Sequence, residues 1–439
     1  MSENVFEFRV LEPEERKGGG ALDLAYWMYR IRTSTTLPMY PRKEMEVVRR
    51  YNDFVWFRTQ LCEAYPYCII PPIPEKEVHG TFNKIVGSAS QSATRTRDYR
   101  QRALKKFLTR VGAHPRLRTA QLLQEFLEMD ETEWERRMQA PVAGAGRSLR
   151  NSIGDSVGQV LSRTWNDAQT LEDAGAAYSQ AVNNGAVDMT AWEGTRRYIK
   201  QLDESMKVLR EQVQVLVDRR RNTSNSLHEF GVAFEKVAEV DGMVGQSSLT
   251  RVLSAVGQHN DQLSTLYVEH ANDETKQVVE TLSYYHGMCG SVRATLKHLL
   301  QSAHHVEALA RQLEGLRAQR DKVLDQVGQA ARRAKLENEI SEQEQLLERA
   351  RQELTDGEAI FKEEIHRFHR DKQYDIKTIL KMFADLQIKY AGRLKQSWEK
   401  LSPLLTQGQP ISDHLIKKRR MVGGRKGGEG GGEGRWRML

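Results

Sequence analysis

The sequence predicts a multidomain protein, with an α+β domain built on a three-stranded meander and helices, followed by an all-α, elongated three-helix coiled coil. The first observation is that nine of the 11 prolines lie at or before Pro141, while residues 142–402 contain none. Because proline costs about 3 kcal/mol in a helix interior, this gap favours long helices. The second is that strand-like alternation is confined to the first 50 residues, whereas heptad spacing begins after residue 188.

The composition narrows the class of protein. The 439 residues are 39% hydrophobic and 28% charged, which supports a folded core and excludes wholesale disorder. No apolar run reaches the roughly 18–20 residues of a membrane span, and a signal peptide is not expected from the first residues. The three cysteines have no metal-ligand spacing, which predicts a reducing compartment without zinc or disulfides. A net charge of +7 favours an acidic partner: nucleic acid, anionic membrane or acidic protein.

The first domain is expected over residues 1–130. Three segments have the composition of strands, and the polar, glycine-ended segment 14–20 suits a hairpin connection. Asp53 is expected to cap a helix running to about residue 65, and the prolines at 71, 72 and 74 force an extended segment. The strands are predicted at residues 5–10, 24–31 and 44–50, and two later helices at about 92–111 and 116–126.

Residues 131–188 are predicted to be a linker that contains one amphipathic helix, at about 147–163. Its apolar residues fall on one face of a helix, whereas most of its polar residues fall elsewhere. We expect this face to insert among lipid headgroups. The apolar residues are Leu149, Ile153, Val157, Val160 and Leu161.

Residues 189–403 are predicted to form three long helices in an antiparallel coiled coil. Apolar residues step by three and four from Leu202 to Leu216 and continue in the same frame to Val237. The helices are expected to break at 241–245 and, more weakly, at Gly328. Exposed seams on such helices would favour dimerisation. Residues 404–439 form a basic and glycine-rich tail that is predicted to be disordered.

The sequence carries no pattern typical of an enzyme. Walker A, dinucleotide-binding and nucleophile-elbow motifs are absent. Glu363 and His366 have the Glu-x-x-His spacing of helical di-iron sites, but no second such motif exists. We therefore interpret them, with Glu364 and His369, as solvated helix residues. No catalytic residue, cofactor or metal ligand is predicted.

Basic and aromatic residues of the first domain form a more specific set. Arg50 and Tyr51 stand side by side where the third strand meets the first helix, Lys76 follows the proline segment, and Arg100 opens a basic helix. A phosphorylated inositol headgroup needs guanidinium groups for its phosphates and a flat ring against its apolar face. These residues supply both.

This region resembles the PX (phox homology) domain in its Arg-Arg-Tyr-Asn-Asp-Phe motif at 49–54, its Pro-Pro-Ile-Pro-Glu-Lys loop at 71–76 and its later Arg-x-x-x-Leu-x-x-Phe helix. The resemblance implies that Arg50 binds the 3-phosphate of phosphatidylinositol 3-phosphate and that Tyr51 stacks under the inositol ring. It also implies that Lys76 contacts the 1-phosphate and that Arg100 contacts the 4- and 5-hydroxyls.

The loop after Lys76 resembles the element of PX domains that inserts into membrane. Its apolar residues include Val78 and the three that we expect to insert, Phe82, Ile85 and Val86. The alternative for Phe82 is a buried side chain that holds the loop against the domain.

The long helices resemble the BAR domain of sorting nexins at residues 213–231 and 363–398. The chain as a whole is thus similar to PX-BAR sorting nexins. The resemblance implies a homodimer, or a heterodimer with another sorting nexin, and possible retromer-type or cargo partners. A curved dimer would add a basic concave face for an anionic membrane. Its candidate residues are Arg219, Arg220, Arg221, Arg367, Arg370, Lys372, Lys377, Lys381 and Lys389.

We therefore expect a peripheral, non-enzymatic membrane protein on the cytosolic face of early endosomes. It would bind phosphatidylinositol 3-phosphate and sense or induce curvature during sorting and tubule-based transport. The alternative is a PX-targeted coiled-coil scaffold that recruits protein partners without bending membrane. A nucleic-acid partner is not expected, because the basic residues of the helices alternate with Asp and Glu.

Overall fold

The computed structural model describes residues 5–16, 26–74, 89–139, 190–243, 245, 247–324 and 329–406. Among the predicted residues, Lys76, the loop residues Phe82, Ile85 and Val86, and the whole amphipathic segment 147–163 lie outside this part of the chain. None of the described helices combines the length and apolarity needed to cross a bilayer.

Within the described residues, the N-terminal sheet contains four strands, whereas the sequence predicts three. Strands β1 and β2 both pair antiparallel with β3, one after the other along the same edge, and β4 pairs with the opposite edge. The segment expected to be a hairpin connection therefore begins with a short strand. Pro13 separates β1 from β2, because proline has no N–H for the ladder. The strands are β1 (Phe6–Val10), β2 (Glu14–Arg16), β3 (Tyr26–Thr35) and β4 (Glu44–Arg50).

Four helices cover this sheet or continue from it, and a short 3₁₀ turn lies at Leu117–Thr119. Apolar faces of the helices meet the inward side chains of the strands in one core, which contains Tyr29, Ile31, Phe54 and Phe107. Trp134, at the start of the predicted linker, also belongs to this core. The helices are α1 (Tyr51–Ala64), α2 (Ala89–Ala113), α3 (Gln121–Glu128) and α4 (Glu131–Gln139).

The long helices follow the predicted pattern. Gly245, with φ of 135°, lies between the first two, at the break expected from Gly242 and Gly245. The middle helix is interrupted by a π-helical turn at Thr275–Val279, which adds a residue to the local repeat and shifts the buried positions after it. The helices are α5 (Thr190–Gly242), α6 (Ser248–Glu274), α7 (Glu280–Leu324) and α8 (Ala330–Thr406).

The chain divides into two compact units. The first comprises Met1–Leu216 and Asp273–Ala384, so it holds the N-terminal domain together with the parts of the long helices around residues 280–384. The second comprises Val217–Asn272 and Asp385–Leu439. Its helices are joined by the stacked rings of His270 and Tyr390, 4.2 Å apart, and by ion pairing between Arg393 and Glu269.

Candidate headgroup site and its support

Two adjacent arginines end β4, and the alternation of the strand separates their roles. Arg49 points inward and is fully buried. Its guanidinium donates to the carbonyls of Phe126 (2.9 Å) and Met129 (2.6 Å) and lies 4.9 Å from the ring of Trp134. Burial lowers the pKa of Arg49 to about 10. Arg49 therefore holds the end of α3 in the core, which leaves Arg50 as the arginine that can face a ligand.

Arg50 is held at the N-terminus of α1 by Asp53. One carboxylate oxygen of Asp53 accepts the backbone N–H of Arg50 (2.7 Å), and the other accepts its Nε–H (3.1 Å). Asp53 was predicted to begin the helix as its cap. It lies instead at the third helical position, because α1 begins at Tyr51 and Asp53 completes a capping box with Arg50. The side chain of Arg50 remains 42% exposed.

Tyr51 and Arg100, two of the residues predicted to bind the headgroup, lie together. The guanidinium carbon of Arg100, on α2, lies 5.0 Å from the centre of the Tyr51 ring. Tyr51 is buried, and its hydroxyl donates to the carbonyl oxygen of Pro74. Two cationic groups and a tyrosine thus meet at a helix N-terminus, which itself favours anions.

A second face of α2 carries a basic stripe that sequence reasoning missed. Arg102, Lys106, Arg110 and His114 recur every four residues, so their side chains lie on one face of the helix and its C-terminal end. This spacing was the available signal, but such a stripe is equally typical of a solvated face. Arg100 was the only residue of this helix assigned a ligand role.

The basic stripe meets acidic and aromatic side chains of α7 and α8. Arg102 binds Glu280 through two hydrogen bonds of 3.0 and 2.6 Å. Lys106 lies 4.1 Å from the centre of the Tyr284 ring, and burial lowers its pKa to about 8. Arg110 pairs with Asp371 and Asp375 of α8. One helix therefore serves both the headgroup site and the attachment to the long helices.

Residues 65–74, here called the docking segment, form a second attachment. The hydroxyl of Thr295 donates to the carbonyl of Cys68 at 3.0 Å, and the hydroxyls of Tyr67 and Ser302 lie 3.0 Å apart. Arg58 of α1 donates to the carbonyl of Pro71 (2.9 Å) and to the hydroxyl of Ser291 (3.1 Å). The predicted extended segment is therefore packed along α7.

Glu364 corrects a sequence interpretation. It was taken as a solvated helix residue with Glu363, His366 and His369, but its side chain is only 2% exposed. It accepts the backbone N–H of Ile69 at 3.2 Å and contacts His114 at 2.9 Å and Arg367 at 2.7 Å. Burial opposes its ionisation, but the hydrogen bond and charge of His114, with Arg367 and the Ile69 N–H, hold the pKa of this carboxyl below its usual value.

Cys68, His114 and Glu364 place three potential ligand atoms within 4.8 Å of one another. Their hydrogen bonding does not fit a metal ion. Nδ1 of His114 accepts the backbone N–H groups of Arg116 and Leu117. Its Nε2 lies 2.9 Å from Glu364 and 2.6 Å from the cationic guanidinium of Arg367, so neither ring nitrogen is open to a metal ion. Burial raises the pKa of Cys68 to about 12, which keeps the thiol neutral, whereas metals bind the thiolate. We interpret the cluster as an ion-pair network.

Two of the residues predicted for a basic membrane face are engaged inside the protein. Arg367 belongs to the Glu364 network, and the ammonium of Lys372 lies 4.8 Å from the ring of Tyr198. The prediction of a membrane-facing role was wrong for these two residues because a helical repeat alone does not show which side of a helix packs against another part of the protein. Arg219, Arg370 and Lys377 are exposed, and they stay candidates for that face.

Comparisons with known proteins agree with this architecture. The PX domain family matches residues 37–130, and the family described as Vps5 C terminal like matches residues 190–404. Sorting nexin-2 of Bos taurus is 25% identical over 411 residues, covering 91% of this chain and 72% of that protein. Sorting nexin 1 of Arabidopsis thaliana is 27% identical over 389 residues, covering 87% and 88%.

Among solved structures, the SNX-BAR Mvp1 tetramer has a chain similar to this one, with a TM-score of 0.54 and 18% identity. The match covers 90% of this chain and 99% of that one, which shows a shared fold. Family models for both domains match this chain, and sorting nexins align with it over about nine-tenths of its length, so it belongs to the sorting nexins of the PX-BAR type.

Proposed function

We propose that this protein binds membranes carrying phosphatidylinositol 3-phosphate through the site around Arg50 and, as a dimer, senses or induces their curvature during endosomal sorting. As a PX-BAR sorting nexin, it belongs to a family of non-enzymatic membrane-trafficking adaptors. The proposal includes a preference for the 3-phosphate, a location on the cytosolic face of early endosomes, and binding to retromer-type or cargo partners.

The geometry at the start of α1 carries the proposal. Arg50 is held by Asp53 through its Nε, which leaves the two terminal nitrogens of the guanidinium for a phosphate. Among the described residues, Asp53 is its only recorded ion-pair partner. The next residue, Tyr51, has its ring in contact with the guanidinium of Arg100. A guanidinium that can bind phosphate through two nitrogens, beside an aromatic ring, suits a phosphorylated inositol, because the phosphate meets the cation and the inositol ring meets the aromatic face. A simple inorganic anion would make no use of the aromatic ring.

Further contact with the membrane would come from two segments that the sequence predicts to insert, the loop after Lys76 and the amphipathic segment. Lys76 would neutralise the 1-phosphate, while Phe82, Ile85 and Val86 would enter the bilayer surface. The amphipathic segment 147–163 would lie among the headgroups and add apolar area at each copy.

The second unit supports assembly. Its helices expose several large apolar side chains, and exposed apolar surface of this kind is typical of a protein–protein contact. Proteins of the SNX-BAR type form dimers, and this surface would supply the dimer contact, with a second copy or with another sorting nexin. The exposed residues of this unit include Phe230, Val237, Val240, Met243, Leu249, Ile388 and Trp398.

Binding to liposomes of defined composition tests the headgroup assignment. Liposomes with phosphatidylserine alone, or with one phosphoinositide added, would be sedimented with wild type, Arg50→Ala and Arg9→Ala. Arg9 is exposed in β1, so its removal matches the change in net charge without touching the site. We expect Arg50→Ala to lose at least about tenfold in affinity for phosphatidylinositol 3-phosphate, since hydrogen bonds to charged groups contribute about 1.5–3 kcal/mol.

Equal binding by wild type and Arg50→Ala would contradict the site. Equal binding to all phosphoinositides would contradict the choice of lipid. Loss of binding in Arg9→Ala to the same extent would show that net charge, rather than a specific site, carries the affinity.

A further inference from the structure

Two glycines in the long helices lie directly against the docking segment. A Cβ built at Gly287 of α7 would come within 2.8 Å of Cβ and 2.9 Å of Cγ of Pro72. A Cβ at Gly357 of α8 would lie 2.6–2.8 Å from three ring atoms of Tyr67. Carbon atoms do not approach so closely, and neither a proline ring nor a buried tyrosine ring can swing aside as a long side chain can. The absence of a side chain at each glycine therefore leaves the space that one residue of the docking segment occupies.

The docking segment ends at the headgroup site. Pro74, two residues after Pro72, accepts the hydrogen bond of the Tyr51 hydroxyl. Arg58, on the same helix as Tyr51, bonds the carbonyl of Pro71 and reaches Ser291 of α7. A displacement of the segment at Pro72 would thus reach the Tyr51 ring through the buried residues Ile73 and Pro74 and the hydrogen bond to Pro74.

We propose that Gly287 and Gly357 are positioning residues for the headgroup site: by letting Pro72 and Tyr67 sit against α7 and α8, they fix the docking segment that holds Tyr51 in place. The proposal rests on the proposed function of that site. Neither glycine touches the lipid, and their effect passes through the segment.

The same substitution at neighbouring positions tests the proposal. Gly287→Ala places a methyl group against Pro72, whereas Gly290→Ala, three residues along α7, meets nothing within 4 Å. For α8 the pair is Gly357→Ala and Gly392→Ala, and position 392 is also open. Both members of each pair gain the same helix propensity on replacement of glycine by alanine, so that contribution cancels in the comparison.

The readout is calorimetric binding of soluble dioctanoyl phosphatidylinositol 3-phosphate to the full-length chain, with melting temperature and oligomeric state recorded beside it. A soluble lipid removes avidity and membrane insertion from the measurement. We expect Gly287→Ala and Gly357→Ala to weaken binding by roughly three- to tenfold, because only part of the strain of the close contact reaches the site, and their partners to bind as wild type.

A double-mutant cycle keeps the proposal testable if a variant loses stability. Tyr51→Phe retains the ring but removes the hydroxyl link to Pro74. If Gly287 acts through that link, Gly287→Ala should add little to the loss already caused by Tyr51→Phe. Additive losses, or wild-type affinity in a folded Gly287→Ala protein, would overturn the positioning role. Absence of binding by wild type would instead overturn the proposed function of the site.

Discussion

Replacing Glu364 by alanine is expected to destabilise the attachment of the PX domain to the helices. The substitution leaves Arg367 and His114 without their carboxylate and the Ile69 N–H without its acceptor. Removing one partner of a buried ion pair costs about 3–5 kcal/mol. Arg367 is 19% exposed and can recover some hydration, so we expect the lower end, about 3 kcal/mol.

Thermal melting of purified variants measures this cost. For the first compact unit, Met1–Leu216 with Asp273–Ala384, about 3 kcal/mol corresponds to a fall of roughly 4–6 °C in the transition that reports the PX domain and its helices. Glu363→Ala is the matched control. Glu363 precedes Glu364 in the helix, is 61% exposed and pairs with Arg116 on the surface, where such pairs contribute about 0–1 kcal/mol.

A further variant, Glu364→Gln, separates charge from packing. It keeps the acceptor for the Ile69 N–H but loses the charge, so its melting temperature should lie between those of wild type and Glu364→Ala. Equal melting temperatures for the Glu363→Ala and Glu364→Ala proteins would refute the buried network.

Three other predictions follow from individual features. Burial lowers the pKa of Lys106 to about 8 from 10.5, so between these pH values the unfolded chain binds a proton that the folded chain has released at this residue, and Lys106 contributes a rise in stability with pH. In denaturation measured at several pH values, the stability of Lys106→Met relative to wild type should therefore fall as pH rises across this window. Light scattering should give about twice the 50.4 kDa chain mass, and Phe230→Asp should lower it; a wild-type monomer at high concentration would contradict the homodimer and favour a heterodimer. Ile153→Glu with Val157→Glu should preserve lipid binding and dimerisation but abolish tubule formation from liposomes, whereas loss of thermal stability would show that the segment packs inside the protein.

Local patterns explain what the sequence could predict. The end of β4 and the placement of Arg50 beside Tyr51 depend on residues within a few positions of one another, so the alternation of the strand was sufficient. The capping signal of Asp53 located the helix start only to within a few residues, because α1 begins at Tyr51. The long helices followed from the proline gap and the heptads for the same reason.

Long-range pairing explains what the sequence could not predict. Glu364 is buried because His114 and Ile69, some 250 and 295 positions away, come to meet it. The basic stripe on α2 has the spacing of an ordinary solvated face, and only the acids of α7 and α8 reveal its role. Likewise, the heptad pattern of the sequence does not predict the π-helical turn at Thr275–Val279.

Electron microscopy of liposomes containing phosphatidylinositol 3-phosphate, incubated with wild type or Arg50→Ala, tests the central claim most directly. The account predicts narrow tubules with wild type and round, undecorated liposomes with Arg50→Ala. Round liposomes densely covered by wild-type protein would contradict a role in curvature and favour the scaffold that binds membrane without bending it.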